Sequence, residues 1–298
     1  MRKLSDILQL RREAENNISD LPALMIKAEK VSNNIVHGTH AQRKSGAGEK
    51  FWQFREYQDT DRPQDIDWRQ SAKGDHVLIK QREWQTTQKT YLWCASGSSM
   101  DFTSDLDNYT KQDCAHIIAV SLAMLMRKSG EQIGIFGDLK TGNSEEKVQN
   151  IGQMLLQQSN INSDLPDTMN FAIPNHASFI GIGDFLSPIE EISQSISNIS
   201  ANAQNGLLIQ TLDFSEIELN YKGRIRFEGN GDNQYELISN VSSIRKEYKK
   251  RINDHINQIR ALCHDKNWSY ILYDNNDDIA ETLKNILYLS DSNNRVNI

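Results

Sequence analysis

The chain has 298 residues, of which 38% are hydrophobic and 24% are charged, and its formal net charge is −7 at pH 7. A chain of this length can bury one large core, and its composition is typical of a water-soluble globular protein. The negative charge disfavours a general nucleic-acid binder, which needs a basic face for the phosphate backbone. The longest apolar run, Ile117 to Met126, falls far short of the ~20 residues that cross a bilayer, so we expect no integral membrane segment.

Three cysteines lie far apart in the sequence, at Cys94, Cys114 and Cys263. An odd and widely spaced set does not suggest a disulfide framework, and it is typical of small core residues in a reducing compartment. The first residues are charged within a few positions of Met1 and contain no apolar signal sequence. We therefore expect a cytoplasmic protein.

A densely charged segment follows two predicted N-terminal helices. Strand-like stretches occur at 51–57 and 77–84, and between them 59–71 contains four aspartates and two arginines around Trp68. Two interpretations account for so many charges beside a tryptophan. Arginine–carboxylate pairs could clasp an irregular loop, or the segment could form a partner-binding surface. The two interpretations are compatible.

From residue 89 onwards, short apolar strands alternate with helical patterns. This alternation favours an α/β fold with a doubly wound, mainly parallel sheet and helices on both faces, preceded by an N-terminal helical and β extension. A capping-box spacing at Ser187 to Glu190 predicts the start of one helix, and alternation around Gly223 predicts a hairpin over Glu218 to Phe227. The predicted strands are Tyr91–Cys94, Gln132–Asp138, Ser178–Asp184, Leu207–Asp213 and Trp268–Tyr273.

Three segments are expected along the chain. Residues 1–85 form the N-terminal extension, residues 86–290 form the α/β domain, and the asparagine- and serine-rich residues 291–298 form a mobile tail.

Short polar residues follow each predicted strand of the parallel sheet. Ligands of such sheets meet the loops at the carboxyl ends of the strands. Acids and hydroxyls gathered there could hold a hard divalent cation through oxygen ligands, or they could simply end strands and cap helices. The loops begin at Ala95, Asp138, Asp184, Asp213 and Asp274.

Two separated stretches resemble a bacterial family called domain of unknown function 58. Arg55-Glu56-Tyr57, then Asp61, then Ile66-Asp67-Trp68 is similar to the family signature R-x-Y-x-x-G-D-x-x-R-x-I-D-W, with Thr60 in place of glycine and Gln64 in place of arginine. Residues 212–216, followed by 223–227, are similar to a second family stretch, a D-P-A-E followed by a hairpin.

The stretch Lys89–Met100 resembles the start of a von Willebrand factor A domain, in which D-x-S-x-S after the first strand forms a metal-ion-dependent adhesion site. Aligning Ser99 with the family serine places Ala95 at the metal-binding aspartate and Gly97 at the first serine. Asp184 matches the acid after a later strand, and Thr141 is a weak candidate for the site's threonine. Because two oxygen ligands are lost, we expect a degenerate site at Ser99 and Asp184 that binds Mg²⁺ or Mn²⁺ weakly or is empty.

The resemblance implies a non-enzymatic adaptor that works with a MoxR-type AAA+ ATPase in the assembly or maturation of a client protein. The contact surface expected on this basis combines the charged segment with the loop after the first strand of the sheet. It comprises Arg55, Tyr57, Asp61, Asp67, Trp68, Arg69, Ser96 and Ser98.

Two alternatives remain open from the sequence. One is an A domain that binds its ligand through a metal held by Asp184, Ser99 and neighbouring carboxylates. The other is a serine hydrolase, although the chain lacks the G-x-S-x-G of a nucleophile elbow. Its nucleophile would be Ser98 or Ser99, with His255 or His264 as base and Asp184 or Asp213 as the orienting acid.

Overall fold

The structure is a computed structural model that describes residues 25–29, 32, 51–58, 63–74, 76–82, 88–105, 109–138, 140–158, 163–228 and 235–286. Asp61, the predicted first helix and the predicted tail lie outside the described residues. Residues 25–29 are helical, as the N-terminal periodicity predicted.

The chain divides into two compact units, which we call the small unit, Arg43–Thr87, and the main unit, Met1–Gln42 with Gln88–Ile298. The segment boundaries expected from the sequence, near residues 85 and 290, stay a prediction. In the small unit, strands β1 (Phe51–Glu56) and β2 (Leu78–Arg82) pair antiparallel. Between them lie a 3-10 turn, Pro63–Asp65, and the short helix α1, Trp68–Ser71.

A five-stranded parallel sheet forms the centre of the main unit. Its strand order is β4-β3-β5-β6-β9, and every neighbouring pair is parallel. All side chains of the central strand β5 are buried, which explains its continuous apolar sequence. The strands are β3 (Lys89–Cys94), β4 (Gln132–Ile135), β5 (Ala177–Gly183), β6 (Ala203–Leu212) and β9 (Ser269–Asp274).

Helices surround this sheet, which confirms the predicted doubly wound α/β fold. Helix α2 packs on α3, and α4 packs on α6. The apolar α2 is buried over most of its length, as its sequence predicted. The helices are α2 (Lys111–Ser129), α3 (Glu145–Gln158), α4 (Ile189–Ser200), α5 (Phe214–Glu218) and α6 (Val241–Asp265), and residues 279–286 are also helical.

The hairpin lies further along the chain than the sequence predicted. Residues up to Glu218 belong to α5, and Gly223, at φ 79°, forms a turn before the first strand of the hairpin. The paired strands are β7 (Ile225–Glu228) and β8 (Tyr235–Ile238). The prediction was wrong because the turn at Gly223 precedes the first strand of the hairpin and does not join its two strands.

The predicted capping box at Ser187 is also wrong. Helix α4 begins at Ile189, and its N-cap position is Pro188, which provides no side-chain hydrogen bond. Ser187 therefore lies one residue too far from the helix for its hydroxyl to cap it. No helix in the described ranges combines the length and apolarity that crossing a membrane requires.

Candidate functional site

The loops after β3 and β5 meet at the carboxyl edge, by which we mean the edge of the main sheet where its parallel strands end. The backbone N–H of Ala95 donates to the carbonyl of Ile182 at 2.8 Å. A Cβ atom on Gly183 would lie 2.7 Å from the Cβ of Ala95, so glycine permits this close approach. Ala95 is fully buried, and the position aligned with the family's metal-binding aspartate holds a packed methyl group.

The three serines after Ala95 differ in exposure. Ser96 is buried, and its N–H donates to the carbonyl of Ser163 at 2.9 Å. Ser98 opens a 3-10 turn that ends at the fully buried Met100. Ser98 is exposed and Ser99 is half-buried, so Ser98 is the most exposed of the three serines.

A buried lysine, Lys111, binds two of the carboxylates at this edge. The Nζ atom of Lys111 lies 3.2 Å from Asp184 Oδ2 and 2.7 Å from Glu216 Oε1. The side chains of Lys111 and Asp184 are 0% and 2% exposed. The ammonium group therefore joins the acid that follows β5 to the acid in α5, without direct contact with solvent.

The start of α2 places this lysine. Thr110 caps the helix and forms a reciprocal capping box with Asp113, and the backbone N–H of Lys111 donates to the carbonyl of Phe102 at 3.0 Å. Lys111 was not among the site residues predicted from the sequence. The available signal was a lysine at the first position of a helix that is otherwise apolar on nearly all sides.

Glu216 and Asp213 belong to a second capping box, at the start of α5. Glu216 Oε2 accepts from the N–H of Asp213 at 2.9 Å, and Asp213 Oδ1 accepts from the N–H of Ser215 at 2.8 Å. The other oxygen of Asp213 accepts from the N–H of Ser104 at 3.0 Å. Burial opposes ionisation of Asp213, but these hydrogen bonds outweigh it and lower its pKa. Burial raises the pKa of Glu216 despite the nearby ammonium of Lys111.

A fourth carboxylate, that of Asp164, lies in the loop that precedes β5. Burial, and then the charge of Asp184, raise the pKa of Asp164, whereas Lys111 lowers it. One oxygen of Asp164 is buried without a hydrogen-bond partner among the described protein atoms. No set of three histidines, cysteines or acids suited to a metal ion is found in the described part of the chain.

The backbone at Asp184 and Phe185 is held by side chains of β6, β9 and α6. The Nε2 atom of Gln210 donates to the carbonyl of Asp184 at 2.8 Å, and the hydroxyl of Tyr270 donates to Gln210 at 2.5 Å. Nε2 of His255 lies 2.7 Å from the carbonyl of Phe185, whose φ of 48° turns the chain sharply. These contacts fix the position from which Asp184 reaches Lys111.

Thr141 does not lie at this edge. Its hydroxyl donates to Gln132 Oε1 at 3.0 Å, and Gln132 is the first residue of β4. The first residue of a parallel strand lies at the opposite edge of the sheet from the carboxyl ends. The weak assignment of Thr141 to the site is therefore wrong.

The candidate interaction residues of the charged segment lie in the small unit and have different roles. Asp67 caps α1 by accepting from the N–H groups of Arg69 and Gln70, each at 3.1 Å. Trp68 is 67% exposed, Arg69 is exposed and Tyr57 is half-buried. The side chain of Arg55 falls outside the described part of the structure, as does Asp61. Both interpretations of the charged segment therefore apply, each to a different residue. Asp67 stabilises the local structure, whereas Trp68 is exposed at the surface.

No curated protein matches the chain. One family model does match, described as "Protein of unknown function DUF58", over residues 53–258. This match contains the α1 segment, Lys111, Asp184 and the α5 capping box, so it covers both regions in which the candidate residues occur. The chain therefore belongs to the DUF58 family of proteins of unknown function.

Proposed function

We propose that this protein is a non-enzymatic binding module that works with a MoxR-type AAA+ ATPase and a client protein. The observation that carries the proposal is the exposure of Trp68, which is 67% accessible although it belongs to the signature that resembles the family. Large exposed aromatic side chains in polar surroundings are the residues that most often anchor protein interfaces.

The surroundings of Trp68 hold it in place for such a contact. The hydroxyl of Ser71 donates to the carbonyl of Asp67 at 2.8 Å and accepts from the N–H of Leu78 at 2.8 Å. The N–H of Asp67 donates to the carbonyl of Leu78 at 2.9 Å. These bonds tie α1 to β2 on both sides of the tryptophan. A fixed backbone reduces the entropy that is lost when a partner binds.

The carboxyl edge does not fit a divalent cation, so we propose that the main unit binds its partner without a metal. The A-domain resemblance implied a metal at Asp184, but that carboxylate already accepts from the ammonium of Lys111 at 3.2 Å. Ala95 offers a methyl group where the anchoring acid would be. A cation would have to displace Lys111 from a buried position without a replacement for the missing ligands.

In the serine-hydrolase alternative, the acids that would orient a histidine are already engaged, Asp184 by Lys111 and Asp213 by two backbone N–H groups. Nε2 of His255 is engaged by the carbonyl of Phe185 at 2.7 Å. His264 lies in the last turn of α6, shortly before β9 begins, which places it near the amino-terminal edge of the sheet. Ser98 follows the carboxyl end of β3, about 20 Å away along a strand of this length.

Binding of a purified MoxR-type ATPase from the same genome tests the function. We expect the immobilised full chain to retain the ATPase, and Trp68→Ala to weaken binding by about tenfold or more, because interface tryptophans often contribute over 1.4 kcal/mol. Lys73→Ala, at another exposed position of the small unit, is the matched control and should bind as the wild type does. Failure of the wild-type chain to bind the ATPase, or equal binding by Trp68→Ala, would contradict the proposal.

Calorimetric titration with Mg²⁺ and Mn²⁺ tests the proposal that the main unit binds its partner without a metal. We expect no saturable heat, because the carboxylate of Asp184 is neutralised internally. A micromolar dissociation constant that is lost in Asp184→Asn would instead support the metal-dependent A domain.

A further inference from the structure

The hairpin of β7 and β8 has one inward and one outward face. Its register pairs Ile225 with Ile238, Arg226 with Leu237, and Glu228 with Tyr235. Because directly paired residues share a face and successive residues alternate, the positions of Arg226, Glu228, Tyr235 and Leu237 lie on the same face. We call this set the hairpin face.

The opposite side of the hairpin contacts the rest of the main unit. Ile225, Phe227 and Ile238 are half-buried. The ring of Phe227 packs edge-on against Tyr221, with their centroids 6.3 Å apart. The N–H of Val241 donates to the carbonyl of Gly223 at 3.1 Å and ties the start of α6 to the turn before β7. The hairpin therefore has a fixed orientation, with the hairpin face directed away from these contacts.

The hairpin face exposes apolar surface to solvent. Tyr235 is 59% exposed and Leu237 is 45% exposed. The guanidinium of Arg226 lies 4.3 Å from the centroid of the Tyr235 ring, so a cation and an aromatic ring are presented together. A two-stranded hairpin is marginally stable in water by itself, and an apolar face left uncovered on one marks a contact surface.

The sequence around the hairpin is basic, in contrast to the chain as a whole. Between residues 218 and 251 there are eight lysines and arginines and five acidic residues, whereas the chain has a formal net charge of −7. Some of these basic groups have structural roles. Arg245 donates to the carbonyls of Leu219 and Tyr221 at 2.8 and 2.7 Å, and Lys249 pairs with Glu218.

Other basic residues in this region point to solvent. Lys222 and Arg224, which precede β7, are exposed, and so are Lys246 and Lys250 in the first turns of α6. None of these four forms an ion pair with another residue in the described ranges. Arg226 lies over the Tyr235 ring on the hairpin face itself. The exposed apolar pair is thus accompanied by positive charge, which complements a negatively charged occupant.

We propose that the hairpin face docks an acidic segment of a partner protein, one that carries apolar side chains between its carboxylates. This inference builds on the proposed role as a protein-binding module and identifies a second contact surface besides Trp68. The carboxylates would meet Lys222 and Arg224, and the apolar side chains would cover Tyr235 and Leu237. A nucleic acid complements the charge but offers no aliphatic cover for Leu237, and the negative remainder of the chain would repel it.

Fluorescence anisotropy with labelled peptides and the full-length chain tests the proposal. The probe is a short peptide that alternates glutamate with leucine and tyrosine. One control peptide has lysine in place of glutamate, and another has serine in place of the apolar residues. We expect saturable binding for the first peptide and for neither control peptide. Its binding should weaken at higher salt, because salt screens a contact between charges.

Variants locate the binding on the molecule. Leu237→Ser and Arg224→Glu should each weaken binding of the acidic apolar peptide by about tenfold. Lys140→Glu reverses a charge at an exposed residue outside the hairpin region and should leave the dissociation constant unchanged. Both hairpin positions are exposed, so unchanged thermal unfolding midpoints are expected and separate lost binding from lost folding.

Several results would overturn the inference. These are equal affinity of Leu237→Ser and wild type, absence of binding to the acidic apolar peptide, and binding of an RNA oligonucleotide or of phosphatidylserine vesicles in its place. The outcome is separable from that of the ATPase experiment. Trp68→Ala should retain peptide binding, so failure of ATPase capture contradicts the adaptor role, whereas failure of the hairpin variants contradicts only this docking surface.

Discussion

Lys111 determines the chemistry of the carboxyl edge. Removing an ammonium group from water is costly, and a buried lysine persists only where charges and hydrogen bonds compensate it. Here the compensation comes from Asp184 and Glu216, at 3.2 and 2.7 Å. The same two carboxylates would be costly to bury without a cation. The lysine and the acids are therefore mutually dependent, and each makes the burial of the other tolerable.

Substitution of Lys111 tests this dependence. Lys111→Met keeps the length of the side chain and removes the charge, so it leaves the carboxylates of Asp184 and Glu216 buried without their partner. We expect the free energy of unfolding at neutral pH to fall by about 3–5 kcal/mol, measured by urea denaturation. Lys140→Met, at an exposed position, is the control and should change it by less than about 0.5 kcal/mol. A loss for Lys111→Met no larger than that of the control would show that the acids do not depend on the lysine.

The contact between Gly183 and Ala95 gives a second residue-level prediction. Gly183→Ala would place its Cβ 2.7 Å from the Cβ of Ala95, closer than side chains approach each other, so we expect a loss of about 1–3 kcal/mol in stability. Ala95→Gly removes the opposing methyl group. The double variant should therefore be more stable than the sum of the two single changes predicts, by about 0.5 kcal/mol or more in a denaturation cycle. If the stability losses of the two single variants simply add up in the double variant, the two side chains do not collide.

Asp184 and Asp213 could be predicted at this site from the sequence, whereas Glu216, Asp164 and Lys111 could not. Asp184 and Asp213 follow apolar strands, and parallel strands bring their carboxyl ends to one edge. Lys111 gave no comparable signal, because a lysine at the start of a helix is ordinarily solvated. Its burial depends on how α2 sits over Phe102 and Asp184, which are distant in sequence, and local periodicity contains no information about such packing.

Helix α5 is a short element whose start is set by its capping residues. Asp213 provides the N-cap, and it also accepts from the N–H of Ser104 in the loop after β3. A single carboxylate thus starts a helix and joins two loops of the carboxyl edge. This dual role explains why a helix begins directly after β6 ends at Leu212.

Removal of the Asp213 cap of α5 should destabilise the protein, whereas removal of the hydroxyl at Ser187, the predicted cap of α4, should not. Asp213→Ala leaves N–H groups of Ser104 and Ser215 without their acceptor, so we expect a loss of about 1–3 kcal/mol in the free energy of unfolding. Ser187→Ala should change it by less than about 0.5 kcal/mol, because Ser187 lies outside the N-cap position of α4. Chemical denaturation of both variants measures the difference, and equal effects would contradict this account of α5.

The central elements were predictable because their apolar patterns are long and their burial is nearly complete. Strand β5 is buried at every position, and the apolar character of α2 extends around its surface. The hairpin was misplaced because its strands are short and largely exposed, so packing imposes little pattern on them. Exposed elements are specified by turns and by contacts such as that between Phe227 and Tyr221, which sequence alternation does not encode.

At the scale of the whole molecule, the core contains a titratable group that ties overall stability to pH. His116 lies in α2 and is 4% exposed, and burial lowers its pKa from 6.5 to about 4, although Asp113 opposes the shift. The folded chain therefore keeps His116 neutral at a pH where the unfolded chain protonates it. Stability from this group is fully present above pH 6.5, where the imidazole is neutral in both states.

As the pH falls from 6.5 to about 4, the unfolded state takes up a proton that the folded state does not, so the wild-type chain should lose stability. The contribution of His116 over this window is about 3 kcal/mol. Urea denaturation of the wild type and of His116→Gln across this pH window separates the contribution of His116 from that of the carboxylates, which also titrate there. We expect the variant to lose less stability than the wild type by about this amount. His264→Gln, whose parent side chain is 90% exposed, should follow the wild-type curve, and a parallel curve for His116→Gln would contradict a buried neutral imidazole.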